Sequence, residues 1–382
     1  MLKTPLNAFH KEHGGKMVDF AGWDMPMTYA WAGGGGGTID EHKQVRTSGG
    51  IFDVSHMGRV RFSGRHARKL LEKCCTRKIH DMKHGQCRYS LVLNEQGGIK
   101  DDVIVYREDD DQFLVVVNAS NRAKLNDHFR TVAAASDFKV TIDDKTESTA
   151  MVALQGPKII PFISNFSKEI PSLKRYTFVT KNLLIVKLMV SRTGYTGEDG
   201  VEVILPSMMV GVGRGLMLKD VDMKKADAII KPVGLGCRDT LRTEAGMPLY
   251  GHELTEESNA LGTGLDFAIS LNKDEDQLGE KFIGQDVLKK TASEGGPARK
   301  LASFVVSGPR TARPGMTVMI GDKPAGGVTS ACPSPTIGSP IGLAYIDRDK
   351  LTEGTMLTID TGRGMLEAKI AKTPLYKAPK PA

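Results

Sequence analysis

The segment that says most about the fold of this 382-residue chain is Gly97-Gly98-Ile99-Lys100-Asp101-Asp102-Val103-Ile104-Val105-Tyr106. A glycine turn leads here into an apolar, β-branched strand, and two carboxylates stand at the start of that strand. Side chains of a strand alternate between its two faces, so Asp101 and Asp102 point in opposite directions and are not an acid–base pair. At most one of them faces a given pocket. The alternative is that both are solvated acids at the edge of a hairpin.

A second apolar strand, Gln112 to Val117, follows and ends in Asn118-Ala119-Ser120-Asn121. An acid at the start of one strand and an amide at the end of the next predict a common pocket. Together with Ser90 to Leu93, which precedes the turn, the region predicts a hairpin, a third strand and then a helix that Ser120 can cap. This order indicates a mixed or antiparallel sheet with helices on one side.

Further strands are predicted farther along the chain, at Met151 to Gln155, Leu183 to Val190 and Val201 to Leu205. The connection between the last two, Ser191 to Gly200, carries three glycines, two acids and a tyrosine. A plain hairpin turn does not need these polar and aromatic residues, so the connection is a candidate part of a functional site. A charged stretch from Ser270 to Arg299 predicts a break between domains. Beyond it, Leu301 to Lys372 has the short β runs and Gly–Pro turns of a small barrel or sandwich.

Length and composition predict a globular protein of two or three domains, because 40% of the residues are hydrophobic and 25% are charged. No apolar run is long enough to span a bilayer, so we expect no membrane span. The opening residues, Met1 to Pro5, lack the apolar region of a signal peptide. A transit peptide that had been removed would leave no trace.

Cysteine usage and motif spacing argue against a disulfide framework and against a metal site. The five cysteines are an odd number without C-x-x-C spacing, which favours free thiols in a reducing compartment. His252-Glu253-Leu254-Thr255-Glu256 lacks the second histidine of a zinc motif. The glycine run Gly33 to Gly37 lacks the pattern of a phosphate-binding loop and is interpreted as a flexible surface loop.

The net charge of +7 is unevenly distributed, with ten Lys and Arg residues against two acids between Arg59 and Arg88. Such a segment can steer an acidic macromolecule or a polyanionic ligand tail. The alternative, a solvated helix face that only keeps the protein in solution, is the commoner reason for a charge run. The chain has no recognised nucleic-acid motif, so we predict no nucleic-acid partner.

Nine groups of residues, taken in order, connect these observations with a known family. They are Thr4-Pro5-Leu6, His13 to Val18, Phe20 to Trp23, Phe52 to Met57, Gly97 to Val105, Leu154 to Pro157, Gly194 to Glu202, Arg238 to Arg242 with Glu244 to Gly246, and Thr329-Ser330 with Cys332 to Pro335. Across nearly its whole length the chain resembles the T-protein family of the glycine cleavage system, the aminomethyltransferases.

The resemblance implies an α+β fold, a three-domain folate-binding cloverleaf. Mixed or antiparallel sheets would form the first two domains, and a small β-barrel or jelly-roll-like domain the third. The implied boundaries are 1–50 plus 145–275 for a discontinuous first domain, 51–144 for an inserted domain that carries Asp102, and 295–382 for the C-terminal all-β domain.

The resemblance also implies an enzyme that moves a one-carbon unit from the aminomethyl-dihydrolipoyl H-protein to tetrahydrofolate. The products would be 5,10-methylenetetrahydrofolate, ammonia and dihydrolipoyl H-protein. Implied partners are the lipoylated H-protein and the other glycine cleavage proteins, and tetrahydrofolate would act without a metal. The implied location is the mitochondrial matrix in a eukaryote and the cytoplasm in a bacterium.

Residue by residue, the family's key acid falls on Asp102, and its folate-contacting positions fall on Asn118, Tyr195, Glu202 and Arg238. Carboxylate and amide groups suit the edge of a pterin ring, a guanidinium can hold a carbonyl or carboxylate, and tyrosine adds ring area. We expect Asp102→Asn to impair turnover and Asp101→Asn to do much less harm.

Several positions and two related kinds of protein qualify the resemblance. His56 is interpreted as a satisfied interior group rather than a base. Arg238 could instead be a buried ion-pair partner of Glu244 or Asp239, and Glu202 could be a strand-edge acid. Tyr376 is not assigned a folate contact, and Gly33 to Gly37 replace a shorter loop of the relatives. Folate-binding iron–sulfur cluster assembly factors share the fold but carry a cysteine where this chain has Lys281 to Asp286. A third alternative is the folate half of a demethylating flavoenzyme, but such enzymes place a flavin domain before that half and this sequence shows none.

Overall fold

The computed structural model describes residues 1–183, 185–219 and 221–379, and this part of the chain contains nine helices and twenty strands. The helices are α1 (Asn7–Glu12), α2 (Gly37–Thr47), α3 (Ala67–Cys74), α4 (Arg122–Ala135), α5 (Ile159–Ser164), α6 (Glu169–Ser172), α7 (Val210–Met217), α8 (Leu235–Glu244) and α9 (Gln285–Ser293). The strands of the N-terminal half are β1 (Leu2–Lys3), β2 (Gly15–Phe20), β3 (Trp23–Tyr29), β4 (Gly50–Asp53), β5 (Gly58–Ser63), β6 (Cys87–Leu93), β7 (Ile99–Asp109), β8 (Gln112–Val117), β9 (Thr141–Asp144) and β10 (Thr149–Gln155). Those of the C-terminal half are β11 (Phe178–Leu183), β12 (Val186–Ser191), β13 (Gly200–Pro206), β14 (Lys231–Pro232), β15 (Arg299–Val306), β16 (Thr317–Ile320), β17 (Lys323–Ser334), β18 (Ser339–Asp347), β19 (Met356–Asp360) and β20 (Met365–Ala371).

The predicted hairpin and third strand are confirmed as β6, β7 and β8 of an antiparallel five-stranded sheet with the order β6-β7-β8-β5-β9. The apolar alternation of β7 explains how the sheet is covered. Val103 and Val105 pack under α3 and α4, in a core that includes Leu70 and Phe129. Ile104 belongs to the opposite face, which packs on the sheet of the first domain.

The start of α4 differs from the prediction that Ser120 caps it. A 3₁₀ turn, Ala119–Asn121, precedes the helix, and Asn121 is the N-cap residue. The described structure shows no capping bond from the Asn121 side chain. Its amide instead donates to Asp101 at 2.7 Å, so a tertiary contact has replaced the local cap.

The first domain is built on a six-stranded mixed sheet with the order β11-β12-β13-β10-β4-β14. Its pairs are antiparallel except for β14 with β4, which is parallel. The strand predicted from Leu183 to Val190 is confirmed as β12, but β12 begins at Val186, and Leu183 instead ends β11 as the register partner of Val186. Leu184, within that prediction, lies outside the described residues. The prediction of a strand from Val201 to Leu205 is confirmed by β13.

The run Gly33 to Gly37 lies between a small three-stranded sheet, β1-β3-β2, and helix α2. The backbone of Gly34 to Gly37 has φ values from 74° to 117°, a region that residues with a Cβ avoid. The amide of Gly36 donates to Asp40 at 3.0 Å, and α2 begins at the next residue. The predicted surface loop is therefore a tight helix entry that requires glycine.

The C-terminal prediction of a small all-β domain is confirmed by a closed barrel with the strand order β15-β18-β17-β16-β19-β20. Phe304, Val318 and Ile346 are among its fully buried core residues. Residues 380–382 of the predicted domain lie outside the described residues. The domain boundaries given above stay a prediction.

The charged stretch Ser270 to Arg299, where the sequence predicts a break between domains, packs against the inserted domain. Lys273 is fully buried, and its ammonium lies 2.6 Å from a Glu72 carboxylate oxygen. The same ammonium donates to the backbone carbonyls of Glu72, Cys75 and Arg77. A charged residue in a sequence is exposed only if the folded protein offers it no buried partner of opposite charge.

Among the described residues, none of the helices has the length and apolarity that a membrane crossing needs.

Candidate functional site

A cavity of about 990 Å³ lies where the inserted sheet, the first domain and helix α8 meet. All five residues that the family resemblance singled out line it: Asp102, Asn118, Tyr195, Glu202 and Arg238. They come from separate elements, β7, the end of β8, the β12–β13 connection, β13 and α8. The fold therefore brings these side chains to one enclosed space.

Asp102 and Asn118 meet on one wall of the cavity, as the strand order predicted. The Asn118 side-chain nitrogen donates to Asp102 Oδ1 at 2.8 Å, and the hydroxyl of Tyr89 donates to Asp102 Oδ2 at 3.0 Å. Burial raises the pKa of the Asp102 carboxyl, which these bonds oppose. Asp102 is thus a half-buried carboxylate held in a fixed orientation at the cavity wall.

Asp101 faces away from the cavity but is not solvated, so the expectation of a solvated acid is wrong. Its side chain is fully buried beneath the helices of the inserted domain. Oδ2 accepts from the Asn118 backbone amide at 3.0 Å, and Oδ1 accepts from the side chains of Asn118 at 2.8 Å and Asn121 at 2.7 Å. Burial, followed by the nearby charge of Asp102, raises the pKa of Asp101 to about 7.

Glu202, Tyr195 and Arg238 form a second group in the cavity wall. The guanidinium of Arg238 lies 4.8 Å from the centre of the Tyr195 ring, a cation–π contact. The Tyr195 hydroxyl donates to the carbonyl of Pro248, and the Thr193 hydroxyl donates to Glu202 Oε2. Burial raises the pKa of Glu202, and the charge of Arg238 acts against that rise.

Arg238 is not the ion-pair partner of Glu244 or Asp239 that the sequence left open. Glu244 pairs with Arg46 at 2.8 Å, and Asp239 pairs with Arg242 at 2.7 Å. Within the described residues, the buried Nη1 atom of Arg238 has no hydrogen-bond partner. An unsatisfied buried donor beside a cavity is costly, so a ligand that accepts from it would recover that cost.

His56 lines the cavity as an almost fully buried ring that packs edge-on against Phe20 at 5.4 Å. Burial lowers its pKa to about 4, and the neighbouring charges of Arg238 and Arg59 act in the same direction. The ring is therefore neutral at pH 7 and accepts protons poorly. His56 is therefore an interior group, as predicted, but it is not a satisfied one, because its buried Nδ1 atom has no hydrogen-bond partner among the described residues.

Four aromatic residues that line the cavity were missed by the sequence analysis: Tyr89, Tyr176, Tyr250 and Phe267. Tyr89 and Phe267 stack with their ring centres 5.9 Å apart, and Tyr89 also binds Asp102. Tyr89 could have been found, because it pairs with Ile104 in the hairpin register and so shares the face of Asp102. Phe267 follows no periodic pattern and reaches the cavity only through tertiary folding.

The basic segment is less exposed than its charge suggests. Arg59 is fully buried, and its guanidinium donates to the carbonyls of Ser55 at 3.1 Å and Thr149 at 3.0 Å. It thereby holds the turn that carries His56 into the cavity wall. Arg59 is not a surface charge, and the steering role of the remaining cations stays a prediction.

The incomplete zinc motif has a structural explanation, because Glu253 is buried and bonded to Arg242 at 2.9 Å. Elsewhere, the exposed side chains of His84, Asp109 and Asp110 lie close enough together to hold a cation. Arg107 already pairs with Asp110 at 2.6 Å. The prediction that the protein uses no metal stays a prediction.

Comparison with known proteins identifies the class to which this fold and cavity belong. Residues 6–273 match the family model of the GCVT N-terminal domain, and residues 299–377 match that of the glycine cleavage T-protein C-terminal barrel domain. The aminomethyltransferase of Rubrobacter xylanophilus is 43% identical, with 99% of this chain and 95% of that protein covered. The aminomethyltransferase of Streptomyces coelicolor is 38% identical, with 100% and 99% covered.

A solved structure supports the same class. The glycine cleavage system aminomethyltransferase T from Bartonella henselae superimposes with a TM-score of 0.87 at 27% identity, covering 99% of this chain and 98% of that one. The chain belongs to the T-protein family of the glycine cleavage system, a family of aminomethyltransferases. The resemblance and the fold class inferred from the sequence are thereby confirmed.

Proposed function

We propose that this protein transfers the one-carbon unit of an aminomethyl-dihydrolipoyl H-protein to tetrahydrofolate. The products are 5,10-methylenetetrahydrofolate, ammonia and dihydrolipoyl H-protein. The observation that supports this most directly is the convergence of Asp102, Asn118, Tyr195, Glu202 and Arg238 on one cavity in a member of the T-protein family.

The polar groups of the cavity suit a reduced pterin. A pterin edge offers an amino group and ring N–H donors, for which the carboxylates of Glu202 and Asp102 are acceptors, and a carbonyl, for which Arg238 Nη1 is a donor without a partner in the described structure. The walls around these groups are largely apolar, as in most small-molecule sites, and include Val54, Ile104 and the Tyr195 ring.

The role we assign to Asp102 is electrostatic. Positive charge develops on the one-carbon unit as its bond to the lipoyl sulfur breaks, and a carboxylate fixed by Tyr89 and Asn118 stabilises that charge without having to reorient. The cavity also holds the reacting groups together and excludes water. Covalent catalysis by a side chain is not part of this proposal.

A test of this role compares Asp102→Asn with Asp109→Asn, an exposed acid at the far end of the same strand. We expect Asp102→Asn to lower kcat by roughly a hundredfold or more, because one preorganised charge is lost, while Asp109→Asn remains normal. Turnover is measured with tetrahydrofolate and an aminomethyl-lipoyl carrier, and tetrahydrofolate affinity by calorimetry. Near-normal turnover of Asp102→Asn would exclude the assigned role, and absence of tetrahydrofolate binding to the unchanged protein would exclude the function.

The partner, the domain division and the location complete the proposal. The lipoylated H-protein delivers the substrate. The other glycine cleavage proteins act before and after the transfer that this protein carries out. The polypeptide divides at 1–50 plus 145–275, 51–144 and 295–382. The relatives named above are bacterial, so a mitochondrial location lacks support and we place the protein in a bacterial cytoplasm.

A further inference from the structure

Asp101 is a fully buried carboxylate next to the proposed catalytic acid, and it does not line the cavity. Three N–H groups surround it, the backbone and side-chain amides of Asn118 and the side-chain amide of Asn121. Two of these three bonds, at 3.0 and 2.8 Å, hold the same residue, Asn118. Asp101 therefore fixes both the backbone and the side chain of a residue that does line the cavity.

The Asn118 amide is shared between the two acids. Its nitrogen lies 2.8 Å from Asp101 Oδ1 and 2.8 Å from Asp102 Oδ1, so each of its two hydrogens has a carboxylate acceptor. If the Asn118 side-chain amide were reversed, its oxygen would lie against the oxygens of both carboxylates, and none of the three could donate a hydrogen bond. The observed orientation leaves the side-chain oxygen of Asn118, Oδ1, without a hydrogen-bond partner among the described residues, whereas the backbone oxygen accepts from the backbone amide of Asn121.

We propose that Asp101 is a positioning residue: through Asn118 it holds Asp102 in place and keeps the Asn118 side-chain oxygen free to accept a hydrogen bond from an N–H group of bound tetrahydrofolate. This inference rests on the proposed function. Because side chains alternate along β7, Asp102 faces the cavity and Asp101 contacts Asn118 from the opposite face of the sheet. Fixed supporting residues of this kind determine the geometry of a site.

The electrostatic surroundings support a coupled pair. The groups that face the two carboxylates are the Tyr89 hydroxyl from β6 and the amides of Asn118 and Asn121, and the described structure shows no cationic side chain paired with either acid. Burial and the charge of Asp102 raise the pKa of Asp101 to about 7. Protons therefore leave the two acids as a pair rather than independently.

A double-mutant cycle tests whether Asp101 acts through Asn118. Asn at position 101 would set its NH₂ group against the amide donors, so we expect Asp101→Asn to weaken tetrahydrofolate binding and lower kcat, each by roughly tenfold. Because the effect passes through Asn118, the double variant Asp101→Asn with Asn118→Ala should lose no more than Asn118→Ala alone. Asp109→Asn on the same strand is the matched control and should bind normally.

Binding to the unchanged protein, measured by calorimetry, is the first step. No binding there would contradict the proposed function, whereas normal binding followed by losses that multiply in the double variant would contradict only the positioning role. Normal tetrahydrofolate binding and normal turnover by Asp101→Asn would also overturn the positioning role.

A spectroscopic measurement covers the case in which Asp101→Asn does not fold. The ¹⁵N side-chain signal of Asn118, assigned by its disappearance in Asn118→Ala, should shift with a midpoint at about pH 7 in the unchanged protein. A signal that stays constant while the ¹³C carboxyl signal of Asp101 titrates in the same sample would show that Asn118 does not bridge the two acids.

Discussion

Replacing Lys273 by Met should loosen the contact between the inserted domain and the segment that leads to the barrel. The Lys273 ammonium lies 2.6 Å from Glu72 Oε2 and donates to three backbone carbonyls at 2.7, 2.9 and 2.8 Å. Both side chains are fully buried. Methionine fills a similar volume but leaves a charged carboxylate and three carbonyls without their donor.

The expected cost follows from the burial of this pair. Removing one partner of a buried ion pair typically costs roughly 3–5 kcal/mol, because the remaining charge stays in a medium that solvates it poorly. Glu72 Oε1 keeps its bonds from the backbone amides of Ile79 and His80, which hold part of that charge. We therefore expect a loss near the lower limit, about 3 kcal/mol.

Urea unfolding followed by far-UV circular dichroism measures this loss. The matched control is Lys281→Met, since Lys281 has an exposed partner, Asp286, and should change the free energy of unfolding by less than about 0.5 kcal/mol. Adding Glu72→Gln to Lys273→Met removes the stranded charge and should recover part of the loss. A Lys273→Met protein that loses less than about 1 kcal/mol would refute the reasoning.

Two further predictions concern stability. Gly211→Ala and Gly215→Ala in α7 should each stabilise the protein by about 0.5–1 kcal/mol in thermal unfolding, because a helix favours alanine and, apart from the adjacent residues and the helix's own backbone, no described atom lies within 4 Å of the added Cβ. Gly213→Ala is the control without that gain, since its Cβ would lie 2.8 Å from a leucine methyl carbon. Although burial acts to raise it, hydrogen bonds, including one from His42, lower the pKa of Glu244 to about 2. This depressed pKa stabilises the fold above the unfolded value of 4.5, and the contribution should be lost as the pH falls toward 2, on the order of 3 kcal/mol in total. Glu244→Gln should flatten the pH dependence of unfolding in that range, and an unchanged slope would contradict the assignment.

The strands that surround the site were predictable because their signals are local. Alternation and a glycine turn determine β6, β7 and β8, and short runs between turns determine the barrel. Errors arose where a distant partner overrides the local preference. The cap predicted at Ser120 was wrong, because Asn121 precedes the helix and gives its side-chain amide to Asp101. The burial of the charged Lys273 had no local signal, because it depends on Glu72.

The candidate site was predictable in two different ways. Alternation alone showed that only one acid of the pair can face a pocket, and the strand order predicted that Asn118 lies beside it. Tyr195, Glu202 and Arg238 came from family resemblance, because their positions along the chain do not indicate proximity. Phe267 had no signal of either kind.

The sequence by itself determined that Asp101 and Asp102 lie on opposite faces of one strand, because backbone geometry in a strand leaves no other arrangement. Only the tertiary structure decided what each face meets. Helices cover the face of Asp101, so that acid is buried and bonded to Asn118, whereas a neighbouring sheet and α8 leave a cavity before Asp102. Burial depends on which surfaces pack together, and residues far apart in the chain supply those surfaces.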